Sequence, residues 1–246
     1  METRFVGIIP ARYASTRFPG KPLADLNGKP MIQIVYEHVL EAHLFQTAVA
    51  TDDNRIFQCV NDFNGNVVMT SPNHPSGTDR CGEAAGKLSL HDEDVIINIQ
   101  GDEPFISKNE IRLLTKLFER PEVNIATLVK PFDNDEEAQN PNKVKVAIAL
   151  NGKALYFSRY PIPFVRDAQN AKATYFQHLG IYAYRYKILK KLIQLSPSKL
   201  EECEKLEQLR WLENGYEIYT ATCQYQGIGI DTPEDLANLL AKMKQH

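Results

Sequence analysis

Apolar runs of strand length alternate with stretches of helical period through the first half of this 246-residue chain. Phe5-Val6-Gly7-Ile8-Ile9 reads as a buried strand, because a short continuous apolar run bounded by turn residues suits a sheet interior. Beyond a proline-containing polar loop, Ile32, Val35, Tyr36, Val39 and Leu40 recur at i, i+3, i+4, i+7 and i+8 and predict one apolar helical face. A strand over 47–51, a helix over about 54–63 and a strand over 66–69 follow. The loop 70–80 then leads through another helix to the apolar run Val95-Ile96-Ile97-Asn98-Ile99. Such alternation predicts an α/β fold of three layers, a mainly parallel central sheet with helices on both faces.

The rhythm changes near Lys130. Segments 144–150 and 154–158 flank Asn151-Gly152, a pair that readily takes positive φ and predicts a hairpin. Polar residues over 166–174 precede the strand-like run His178-Leu179-Gly180-Ile181-Tyr182-Ala183-Tyr184. The expectation is a single domain over 1–246, with 132–195 as a small added lobe carrying a dimerisation and sugar-binding surface. A closing helix begins at Thr232 as N-cap, with Pro233 first and Asp235 placed to favour the helix dipole. Leu236, Leu239, Leu240 and Met243 should form its buried face.

Charge narrows the partners. Lys and Arg total 28 against 31 Asp and Glu, giving a net charge of −3, which argues against a general nucleic-acid or membrane-surface binder. Cys59, Cys81, Cys203 and Cys223 lack paired metal spacing and read as buried or incidental thiols. Neither a signal peptide nor a transmembrane run is recognisable, so a cytoplasmic location is expected.

Positive charge is instead gathered at one place. The first strand opens into Pro10-Ala11-Arg12-Tyr13-Ala14-Ser15-Thr16-Arg17-Phe18-Pro19-Gly20-Lys21, three cations stiffened by prolines and freed at one glycine. It is neither a Walker A loop nor a dinucleotide fingerprint. The run at 95–99 ends in Gln100-Gly101-Asp102-Glu103-Pro104, a carboxylate at another strand exit. Strand exits of an open α/β sheet share the edge where ligands bind. Cations for a polyphosphate, facing a carboxylate for its divalent metal, point to nucleotidyl chemistry.

Ordered segments along nearly the whole chain carry a resemblance: 9–23, 51–52, 76–80, 98–104, 154–159, 178–184, 207–210 and 229–236. In these the chain resembles the 3-deoxy-manno-octulosonate cytidylyltransferases, or CMP-KDO synthetases. The resemblance implies a fold of the nucleotide-diphospho-sugar transferase type, a homodimer, and Mg2+ as cofactor. Its implied reaction joins CTP to the eight-carbon acid sugar KDO, giving CMP-KDO and pyrophosphate for lipopolysaccharide biosynthesis.

On that footing Arg12, Arg17 and Lys21 are expected at the triphosphate, arginine as a planar fork and lysine as a mobile point charge. Asp102 and Asp231 are the expected metal carboxylates, since magnesium takes one or two with phosphate and water oxygens. Asp231 also reads as a turn aspartate ahead of the helix cap. Ser76 and Gly77 are assigned to cytidine, although Ser76-Gly77-Thr78 equally suits a turn capping the next helix. Gln100, both donor and acceptor, suits the base or the sugar hydroxyls. Arg159, His178, Tyr182, Glu207 and Gln208 are assigned to KDO. Arg159 could instead pair with a surface acid, and Glu207 and Gln208 could be solvated. The catalytic set is thus Arg17, Lys21, Asp102 and Asp231. Two other readings remain open, a CMP-sialic acid synthetase and a catalytically silent nucleotide-binding protein.

Overall fold

The computed structural model describes residues 3–14, 18–167, 173–225, 230 and 232–243. In chain order its elements are β1 (Phe5–Ala11), a 3-10 turn (Lys21–Leu23), β2 (Asp25–Leu26), β3 (Lys29–Pro30), α1 (Met31–Leu40), β4 (Gln46–Thr51), α2 (Asn54–Asp62) and β5 (Val67–Met69). Then come α3 (Gly77–Lys87), β6 (Val95–Asn98), α4 (Lys108–Leu117), β7 (Ile125–Pro131), α5 (Asp135–Ala138), β8 (Lys145–Ile148) and β9 (Ala154–Ser158). The remainder is β10 (Phe176–Arg185), α6 (Tyr186–Leu192), α7 (Lys199–Glu204), α8 (Glu207–Glu213), β11 (Tyr219–Thr222) and α9 (Pro233–Met243).

The main sheet runs β11-β7-β10-β6-β1-β4-β5. Alternate side chains of its strands enter two separate cores, as the period of a strand requires. Ile9, Ala11, Val95 and Ile97 meet α1, α2 and α4 on one face. Val6, Ile8 and Ile96 meet α3, α6 and α8 on the other. Apart from half-buried Phe5, every residue in these apolar runs is therefore buried, and the runs could not alternate with polar positions. The three layers expected from the sequence are present.

One strand departs from the parallel pattern. β10 runs antiparallel to both β6 and β7. Between β7 and β10 the chain makes the β8–β9 hairpin, with Lys145 opposite Ser158 and Val146 opposite Phe157. Without a crossover helix, the return alongside β7 is antiparallel. The hairpin turn falls where expected, with Gly152 at φ 85.

Helix starts carry local hydrogen bonds. Asp53 accepts from the Arg55 N–H at α2, and Ser76 accepts from the Asp79 N–H at α3. Thr232 and Asp235 reciprocate at α9, where the Asp235 N–H donates to Thr232 Oγ1 at 3.2 Å and the Thr232 N–H donates to Asp235 Oδ2 at 2.8 Å. Leu239 is buried against Leu26, Met31 and Ile230, with Leu236 and Leu240 packed beside it. The Met243 side chain lies outside the described residues. On α1 the expected face is buried except Leu40, which is 48% exposed because it ends the helix at the rim.

Candidate active site

β1 and β6 are parallel neighbours, so their exits deliver the basic loop and the Gln100-Gly101-Asp102 turn side by side. Gly101 permits this closeness, since a Cβ there would lie 3.1 Å from the Pro10 carbonyl oxygen. Lys21 Nζ reaches Asp102 Oδ2 at 2.5 Å and donates to the Ile230 carbonyl at 2.8 Å. A cleft of about 410 Å³ opens over the pair, lined by Arg12, Lys21, Gly77, Gln100, Gly101 and Asp102 among others. Arg12 extends along its wall, with Nη2 donating to the Pro75 carbonyl at 3.3 Å. Five expected nucleotide or metal residues thus share one cleft. Arg17 and Asp231 lie outside the described residues.

Gly77 opens α3 against Pro10 and Gln100, where a Cβ would make ordinary contact. Ser76 is the N-cap of α3 and also faces α8. Its Oγ lies 2.6 Å from Asp79 Oδ2 and 2.8 Å from Glu207 Oε1, while Thr78 Oγ1 donates to Glu207 Oε2 at 2.7 Å. Ser76 has one proton for two carboxylates. Burial pushes the Glu207 carboxyl above its usual range despite those hydroxyl bonds.

Four of the expected sugar residues, His178, Tyr182, Glu207 and Gln208, form a second cluster joined to the cleft side of α3 through Ser76 and Glu207. Tyr182 packs against His178 and edge-on against Trp211, with centroids 5.2 and 5.0 Å away. Burial drives the His178 imidazole down to about 3, so it is neutral at physiological pH. Its Nε2 lies 3.1 Å from Thr127 Oγ1. Tyr182 Oη and Gln208 Nε2 are buried with no hydrogen-bond partner. Both atoms lie in the buried cluster around Glu207. A register shift in β10 between Leu179 and Tyr182 sets Gly180 beside Gln100.

Arg159 is engaged by backbone carbonyls. Its guanidinium donates to the carbonyls of Glu204 at 2.7 Å, Pro141 at 3.0 Å and Lys205 at 3.3 Å. Two contributors escaped the sequence reading. Thr78 looks like an ordinary first-turn residue, and its bond to Glu207 spans 129 positions. The Ile230 carbonyl is backbone, which no side-chain pattern reveals.

Comparison with known proteins defines the class first. The cytidylyltransferase family model matches residues 6–218, and the chain is an enzyme of the nucleotidyltransferase class. It is 53% identical over 246 residues to the 3-deoxy-manno-octulosonate cytidylyltransferase of Parabacteroides distasonis, covering 97% of each chain. That of Cytophaga hutchinsonii is 54% identical over 237 residues, with 94% of each covered. A solved CMP:2-keto-3-deoxy-manno-octonic acid synthetase, complexed with CTP, superposes with a TM-score of 0.92 at 45% identity, covering 99% of both chains. The chain belongs to the 3-deoxy-manno-octulosonate cytidylyltransferase family. Among the described residues, no helix is long and apolar enough to cross a membrane.

Proposed function

We propose that the cleft joins CTP to KDO, the anomeric hydroxyl attacking the α-phosphorus and pyrophosphate leaving, to supply CMP-KDO for lipopolysaccharide assembly. The observation that carries this reading is Lys21 held against Asp102 across an open cleft, in a chain of this family. Charge resides on the triphosphate throughout, so the protein acts by positioning and electrostatic stabilisation. Lys21 and Arg12 hold phosphate oxygens, with Arg17 as their third partner. Gly77 lets cytidine approach the α3 backbone, and Gln100 donates and accepts at the ribose or the sugar.

The residues fit Mg2+. Asp102 presents a carboxylate 35% exposed to the cleft, an oxygen donor of the kind magnesium takes with phosphate and water. Asp231 would supply the second carboxylate. When bound, the ion polarises the α-phosphate and lowers the pKa of the attacking hydroxyl. Among the described residues no cage of three or more His, Cys, Asp or Glu side chains forms, and phosphate oxygens complete the shell in this reading.

His178, Tyr182, Glu207 and Gln208 receive the sugar, the buried Tyr182 hydroxyl and Gln208 amide pairing with its hydroxyls. Arg159 serves the sugar indirectly, fixing the carbonyls of 204 and 205 just ahead of α8. Of the segment 132–195, the part ahead of β10 is the candidate lobe that covers the sugar and pairs two copies into a homodimer, because β10 itself lies in the main sheet between β7 and β6. Incubation with CTP, KDO and Mg2+, with the product identified by mass and phosphorus NMR, tests the reading. CMP-KDO is expected, and a folded protein that forms none would remove it.

A further inference from the structure

Tyr13 and Arg55 make a contact that the reaction described above does not use. Tyr13 sits at the foot of the basic loop, its carbonyl accepting the Gly20 N–H at 2.9 Å and so closing the loop on itself. Gly20 has φ 74, and a Cβ there would lie 3.0 Å from the Tyr13 ring. The ring thus fills the space beneath the residue that precedes Lys21. On the ring, the Arg55 guanidinium carbon of α2 stands 3.2 Å from the centroid.

Arg55 is not a loose surface cation. Its Nε donates to Asp53 Oδ1 at 2.9 Å and its Nη2 to Asp53 Oδ2 at 2.6 Å. Asp53 is itself fixed as the α2 N-cap, and its own N–H donates to Thr51 Oγ1 at 3.2 Å. A continuous chain of contacts therefore runs from the exit of β4 through Asp53, Arg55 and Tyr13 to Gly20 and Lys21. With one face on the ring and two N–H groups on a carboxylate, Arg55 is engaged as a brace and its charge is balanced locally.

We propose that Arg55 and Tyr13 are positioning residues for the nucleotide's phosphates, holding the foot of the basic loop so that Lys21 meets CTP already in place. The inference rests on the CTP reading above. Ordering a loop on binding costs conformational entropy, and a loop braced beforehand loses less. The brace therefore appears as affinity for CTP and not as affinity for the sugar.

Calorimetric titration of CTP and Mg2+ into the parent, Arg55→Ala, Tyr13→Phe and Tyr13→Leu is the test, with no sugar present. Arg55→Ala should weaken CTP about two- to fivefold, the range of an exposed cation–π contact. Tyr13→Phe keeps the ring and should bind as the parent does, while Tyr13→Leu should lose at least as much as Arg55→Ala. The ligand-free melting temperature of Arg55→Ala should stay with the parent, and its KM should rise for CTP but not for KDO. Arg55→Ala binding CTP as tightly as the parent would overturn the proposal, as would Tyr13→Phe losing as much as Tyr13→Leu. A parent that binds no CTP would remove the nucleotide reading itself, which separates the two failures.

Discussion

Asp102 and Lys21 compensate one another at 2.5 Å while facing an open cleft. A triphosphate arriving with its metal would offer each a new partner, and until then the ion pair holds both side chains in place. Asp102→Asn retains the shape and removes the charge. Turnover should fall by about two orders of magnitude or more, the scale of losing a principal electrostatic contact, with the ligand-free melting temperature unchanged. Near-normal turnover at moderate Mg2+ would show that this carboxylate is not a principal ligand. His178 has a different signature. Burial holds its folded form down to about 3 against an ordinary 6.5, so the unfolded chain takes up the proton first as pH falls. Its stabilising contribution is complete above 6.5 and is lost as pH drops from there toward 3. The melting temperature of the parent should therefore fall more steeply between about pH 6.5 and pH 4.5 than that of His178→Gln. Equal slopes would show that His178 titrates normally. Lys21, Asp102 and Gly77 were legible in sequence because strand exits and helix starts fix where such residues go. The Arg159 contacts were not, since a lone arginine after a strand does not reveal whether phosphate, carboxylate or carbonyl will receive it.

Elements were legible to the extent that periodicity encodes them. The apolar face of α1 and the bounds of β4 and α2 followed from spacing, and the β8–β9 hairpin followed from Asn151-Gly152. Strand direction did not, because an apolar run reads alike either way, and the antiparallel β10 emerges only from its hairpin connection to β7. The register shift in β10 was equally hidden, as it shows only in the pairing with β7, where Thr127 meets the Ile181 carbonyl 54 positions away. At α9 the capping pair is both legible and testable. Thr232→Ala removes the acceptor for the Asp235 N–H and should cost about 1 kcal/mol by denaturant unfolding. Because α9 packs beside Ile230, whose carbonyl receives Lys21, the same variant should also weaken protection by CTP. A Thr232→Ala protein as stable as the parent would show that the cap contributes nothing.

At the scale of the molecule, two cores on either side of one sheet fix β1 and β6 from both faces. The cleft at their exits therefore stands on rigid elements, and the cluster around Tyr182 joins it through Ser76 and Thr78 on Glu207 and through Gly180 beside Gln100. In the proposed reading, buried groups that pair with the sugar's hydroxyls are left unpaired by a poorer substrate, and discrimination follows. The most direct test is pyrophosphate release with CTP and Mg2+ against KDO, N-acetylneuraminate and hexose 1-phosphates, compared as kcat/KM. KDO should exceed every other acceptor by about a hundredfold or more, and CTP should not be replaceable by ATP or GTP. Release driven by a hexose 1-phosphate but not by KDO, from a folded sample, would contradict the account.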